Sequence, residues 1–219
     1  MNHPEIRNHS VVLFQGDSIT DAGRSRMTVG SNSPEGMGYG YPRMIMDRLL
    51  EIFPDRNLQF YNRGVSGNRI QDLARRWPHD TLRLGPDLIS ILIGVNDTWN
   101  YLYLGMGSSP DEFRRILQKL LEDTRTELPD TTLILCEPFM LLTGEVTEEW
   151  NEDISQRQNH VRELAEEFEA VFVPFQSALD EIVSGGVSAE QLLEDGVHPT
   201  KRGHCLLADC WIERVLGSN

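Results

Sequence analysis

Cysteine, basic side chains and long apolar runs are all scarce in this chain of 219 residues. Its three cysteines, Cys136, Cys205 and Cys210, cannot all pair within one chain, and none stands in a C-x-x-C arrangement. That excludes a disulfide framework and leaves reduced thiols with a packing role. Lysine and arginine number 20 against 34 aspartates and glutamates, a formal net charge of -14. A field of that sign repels phosphate backbones and anionic lipid, so neither nucleic acid nor a membrane surface is an expected partner. A neutral substrate fits the charge better than a polyanion, although a local basic patch would override the average. No stretch approaches the roughly 20 apolar residues of a membrane span. The polar opening MNHPEIRNHS lacks the basic start, apolar run and cleavage site of a secretory signal, so a cytoplasmic location is expected.

What is present is a regular alternation. Short β-like runs at Val11–Gln15, Leu58–Asn62, Leu88–Gly94, Thr132–Glu137 and Val171–Val173 are separated by longer segments with apolar residues three and four apart. Those segments are Tyr39–Phe53, Ile70–Trp77, Pro110–Leu128, Thr147–Phe168 and Lys201–Leu216. The pattern predicts a parallel α/β sandwich of about five strands with helices on both faces, and the length suits one domain over 1–219. The run ISILIG, near-continuously apolar and rich in β-branched residues, is the expected middle strand. Phe113, Ile116, Leu117, Leu120 and Leu121 form one apolar helical stripe, with Glu112, Arg115, Lys119 and Glu122 on a solvated face. The stretch from Gly30 to Gly40 reads as one long loop, and loops of that length tend to be functional.

In VVLFQGDSIT a strand runs into a Gly-Asp-Ser turn that opens a helix. Ser18 then stands at the carboxyl edge of the sheet, where open α/β sheets place their ligands and a helix start favours developing negative charge. Ser18 is a candidate nucleophile; Asp17 and Ser18 acting only as helix caps is the alternative. A nucleophilic serine needs a base. DGVHP offers His198 with Asp195 three residues ahead, a spacing that lets the carboxylate fold back onto the imidazole and fix its tautomer. An exposed loop histidine is the plain alternative, and His3, His9, His79, His160 and His204 are weaker candidates for a base. The oxyanion of acyl transfer also needs donors. Gly64 in YNRGVSGN can bring a backbone N–H close, and Asn96 in IGVND can offer a side-chain amide from its loop; a turn glycine and a loop cap are the competing readings.

In this order, the blocks GDSIT, N-x-G-x-SGN, G-x-ND and D-x-x-HP resemble the SGNH or GDSL hydrolases. The resemblance spans nearly the whole chain. It implies a flavodoxin-like α/β/α fold and a catalytic set of Ser18, Gly64, Asn96 and His198, with Asp195 as the acid. A narrower likeness to intracellular acetyl-xylan esterases runs through GDSITDAGRSR, GMGYGY, RGVSGNRIQDLARRW and IGVNDTW. It implies a short-chain serine esterase that needs no metal or other cofactor and acts on small acetylated sugars, as a monomer or a homo-oligomer.

Competing classes are less well supported. Ser66 lies in G-V-S-G, one residue short of the G-x-S-x-G elbow of α/β-hydrolase lipases, and reads as structural. Asp195, His198 and His204 do not complete a zinc shell. The GMGYG run follows no strand and has no Walker lysine, which counts against a phosphate-binding module. Asp17 and Asp97 read first as capping or loop-fixing carboxylates, with Asp17 carried as a possible substrate contact. Trp99 walls either the substrate site or the core, and Trp77 packs a helix onto the sheet.

Overall fold

Runs of Val, Ile and Leu too short for helices, bounded by Gly, Asn or Asp, become strands. In the computed structural model, which describes residues 6–28 and 30–217, five of them form one sheet: β1 (Val11–Gly16), β2 (Gln59–Asn62), β3 (Leu88–Leu92), β4 (Thr132–Cys136) and β5 (Val171–Val173). His3 lies outside the described residues. All pairings are parallel, in the order β2-β1-β3-β4-β5. Parallel neighbours require crossovers, here supplied by helices. The order reverses between β1 and β3, so their carboxyl ends form the switch point at which such sheets bind ligands.

Side-chain alternation divides the core into two layers. Val12, Phe14, Leu88, Leu92 and Ile134 pack with α3 (Tyr41–Ile52), α8 (Phe175–Ser184) and α9 (Lys201–Leu216), through Ile45, Leu179 and Leu207 among others. Ile89, Ile91, Leu133 and Leu135 face the other way, onto Leu73 and Trp77 of α4 (Ile70–Asp80), Leu117 of α6 (Pro110–Glu127) and Leu164 of α7 (Trp150–Glu167). This is the three-layer sandwich expected. Emptying either layer at a leucine such as Leu117 or Leu207 costs about 2–5 kcal/mol.

The departures from expectation have local causes. The Gly30–Gly40 stretch contains a one-turn helix, α2 (Pro34–Met37), capped by the Ser33 hydroxyl. α4 continues through Pro78 to Asp80 instead of stopping at Trp77, which is buried and donates its indole N–H to Thr124 at 3.0 Å. Two further helices were not foreseen: α8, where the Phe175 and Leu179 pair follows a proline, and α5 (Val95–Leu104). The last turn of α5 exposes Tyr101, Leu102, Tyr103 and Leu104, so it shows no amphipathic period.

Candidate active site

β1 ends at Gly16, where a Cβ would come within 2.4 Å of both the Leu92 carbonyl and the Thr20 hydroxyl. Only glycine lets the chain turn so tightly between β3 and the one-turn helix α1 (Ser18–Asp21). Asp17 is the N-cap, its carboxylate accepting from the Ile19 N–H at 3.0 Å. The helix closes with Ala22 in the left-handed region. Ser18 is half-buried at its first position, where a backbone N–H lacks an intrahelical partner.

His198 and Asp195 come from a loop closed by a Leu193–Pro199 bridge and by the Glu194 N–H donating to the His198 carbonyl at 2.8 Å. Asp195 Oδ1 accepts from the backbone N–H groups of Val197 (3.0 Å) and His198 (2.8 Å), folding the carboxylate back along its own loop. Its Oδ2 lies 2.7 Å from His198 Nδ1, and His198 Nε2 lies 2.9 Å from Ser18 Oγ. Burial works to raise the Asp195 carboxyl, but the hydrogen bonds from the His198 backbone and ring and from Val197 outweigh it and hold it below the usual range. The acid is therefore ionised at neutral pH and orients the ring with Nε2 facing the serine.

Asn96 is the second residue of α5 and not part of a loop, so a helix start aims it from the end of β3. Its amide donates to the Asn68 carbonyl at 3.2 Å. Gly64 is buried against α1, where a Cβ would come within 2.4 Å of the Asp21 nitrogen. Its N–H donates to Asn62 Oδ1 at 2.9 Å. Asn62 itself was missed: its amide nitrogen also donates to the carbonyls of Thr20 (2.6 Å) and Met37 (2.9 Å), pinning α1 and α2 to the end of β2. Arg76 was missed as well. It reaches the carbonyls of Gly16 (2.9 Å) and Arg63 (2.7 Å) and the side chains of Gln15 (2.6 Å) and Asn68 (2.7 Å), tying three site segments together from beneath. An arginine in a helical pattern gives no signal of that task.

One expectation needs correction. Asp17 offers no surface to a substrate, being wholly buried, and its Oδ2 has no hydrogen-bond partner. Burial pushes its carboxyl up to about 7, against the Ile19 hydrogen bond and the nearby His198. Trp99 is half-buried and belongs to an aromatic cluster, edge-on to Tyr103 and Trp150 with ring centroids 5.6 Å away in each case. Asp97 is buried too, accepts from the Ile70 N–H at 2.9 Å and so fixes the start of α4 to the start of α5. Its carboxyl is likewise pushed up to about 7, by burial above all. His204 accepts from the Tyr41 N–H at 3.2 Å, and burial lowers its pKa to about 4, so it stays neutral. Among the described residues no three His, Cys, Asp or Glu side chains stand together as metal ligands.

The GDSL-like lipase/acylhydrolase family model matches residues 14–206, which takes in both Ser18 and His198. The chain belongs to that family. An acetylxylan esterase of Geobacillus stearothermophilus is 33% identical over 215 residues, 96% of each chain. The solved structure of Axe2, an acetylxylan esterase from the same organism, superposes with a TM-score of 0.88 at 32% identity, covering 98% of this chain and 97% of that one. A GDSL-like lipase candidate from Parabacteroides merdae superposes with a TM-score of 0.93 at 40% identity, covering 96% of this chain and 97% of its own. This GDSL-family protein is thus a carboxylic ester hydrolase built on a five-stranded parallel sandwich.

Proposed function

We propose that the protein is a serine esterase that removes acetyl groups from small sugars, xylo-oligosaccharides among them, through an acyl-enzyme on Ser18. The observation that carries this reading is the unbroken relay from Ser18 Oγ to His198 Nε2 and from His198 Nδ1 to Asp195, at 2.9 and 2.7 Å. His198 takes the serine proton as Oγ attacks the ester carbonyl, then gives it to the departing alcohol. Water repeats the sequence on the acyl-enzyme, releasing acetate and restoring Ser18. The Ser18 N–H and the Asn96 amide are the oxyanion donors that support the reading best. The Gly64 N–H serves as a third only by sharing itself with Asn62.

The sugar assignment is supported by the acetylxylan esterases among the relatives. Among the described residues no helix is long and apolar enough to cross a membrane. A general lipolytic esterase has one observation in its favour, the exposed apolar strip of Tyr101, Leu102, Tyr103, Leu104 and Met106. Specificity constants on aryl esters of increasing acyl length, beside acetylated xylo-oligosaccharides, separate the two. The sugar reading expects a maximum at acetate and a steep fall by butyrate, with acetate released from the oligosaccharides. A rise toward octanoate, or inert sugar acetates, favours the lipolytic reading. A non-catalytic binding domain would give no burst of nitrophenol from an aryl acetate.

A further inference from the structure

The chain carries a formal charge of -14, yet the loops around Gly64 are locally of the opposite sign. Arg24 Nε donates to the Gly64 carbonyl at 2.7 Å, and Arg63 is the residue next to Gly64. Arg26 pairs with Asp21 Oδ2 at 3.2 Å, the same oxygen that accepts from the Ser66 N–H. Arg24 thus lies within electrostatic reach of Asp21, Arg26 and Arg63, three positive charges to one carboxylate. The other charges nearby are balanced or turned elsewhere: Arg76 pairs with Asp80, Arg69 with Asp72, and the Glu35 carboxylate accepts from the Ser33 hydroxyl.

Among the described residues, the terminal nitrogens of Arg24 make no hydrogen bond or ion pair, and neither does the guanidinium of Arg63, which lies 5.8 Å from the centre of the Tyr61 ring. Burial lowers the Arg24 pKa, Asp21 works against this, and Arg63, Arg26 and Arg76 lower it further, as crowding of like charges requires. Guanidinium groups with unused donors can bind an anion even in a strongly acidic protein. Their planar donors match a carboxylate, and they are less strongly hydrated than lysine. Gly64 packs on the Thr20–Asp21 backbone, about one helical turn, or ~5 Å, from Ser18. The Arg24 guanidinium, held by the Gly64 carbonyl, is therefore tied to a loop beside α1.

We propose that Arg24 and Arg63, with Arg26, form a subsite for a carboxylate carried on the alcohol part of the ester. The enzyme then favours acidic sugar esters over neutral ones, although the chain's net charge argues for the reverse. This inference rests on the serine-esterase reading, and its test keeps the two apart. The probes are 4-nitrophenyl acetate and 3-carboxy-4-nitrophenyl acetate, which differ by one carboxylate, and the readout is the ratio of their kcat/KM values. The ratio should exceed one by about tenfold at low salt and narrow as ionic strength rises. It should fall about tenfold in Arg63→Gln, which breaks no internal hydrogen bond, and in Arg24→Gln. It should hold in Arg83→Gln, which makes the same charge change at an exposed residue before β3. A wild-type ratio at or below one, or an equal fall in Arg83→Gln, overturns the subsite and leaves the esterase standing. No hydrolysis of either ester overturns both.

Discussion

The two edges of one sheet make the most instructive contrast in this molecule. The amino edge has a cleft of about 270 Å³ lined by Ser10, Asp87 and Thr131 among others, with no histidine or cysteine in its wall. Several of its polar groups are occupied by the fold. Asp87 accepts from the Val11 N–H at 2.7 Å, the Thr131 hydroxyl donates to the Pro86 carbonyl at 2.6 Å, and the Ser10 hydroxyl accepts from the Arg7 N–H at 3.0 Å. At the carboxyl edge His198 is exposed at the surface. This edge has what the other lacks: a hydroxyl, an imidazole and a carboxylate in line, with helix-start donors beside them. Chemistry follows preorganised groups that still have capacity to bind, and not the volume of a cavity.

The sharpest way to break the contrast is at the proposed nucleophile. Ser18→Ala should lower ester hydrolysis by about 10⁴-fold or more while leaving the circular dichroism spectrum and the unfolding midpoint near wild type. Retained turnover in that variant would remove the serine mechanism. Asn96→Ala comes next, with kcat down about 10²–10³-fold and KM little changed, because an oxyanion donor acts mainly in the transition state. An unchanged kcat would mean that the Asn96 amide serves only the Asn68 carbonyl it already meets.

Periodicity and punctuation made the sheet legible, since β3 is apolar on both faces and its neighbours lie between amphipathic segments. The pairing of Asp195 with His198 was legible because the two sit close in sequence and need only a local turn to meet. Asn62 and Arg76 were not. Their partners lie on segments far away in the chain, and a single polar residue at a strand end or on a helix shows no period. α5 stayed hidden for the opposite reason, because its exposed Tyr and Leu residues contradict the pattern that marks a covering helix.

The buried carboxyls behind the carboxyl edge sharpen the comparison through pH. Asp97 is pushed up to about 7 in the folded protein from 3.8, chiefly by burial, and Asp17 behaves alike. Between those two values the folded state binds more protons than the unfolded one, so stability falls as pH rises and this contribution is lost above about 7. Asp97→Asn keeps an oxygen for the Ile70 N–H and removes the ionisation. Its unfolding midpoint should exceed that of wild type by about 5 °C at pH 8 and match it near pH 4. A constant offset across that range would show that Asp97 does not titrate there.

The smallest expected effect is at the amino edge, and it tests whether the two edges are independent. Asp87→Ala deprives the Val11 N–H of its acceptor at the first residue of β1. Asp87 is exposed, so water replaces the carboxylate and the loss should be about 1 kcal/mol, or about 2–4 °C in the unfolding midpoint of a chain this long. Ser18 follows the far end of the same strand, roughly 20 Å away at ~3.3 Å per residue. The paired neighbours β2 and β3 hold that end in register without help from Asp87. Hydrolysis of 4-nitrophenyl acetate should therefore proceed at the wild-type rate below the melting range. A drop in kcat with the fold intact would mean that β1 transmits disorder from its start to the nucleophile, and the two edges would have to be treated as one coupled unit.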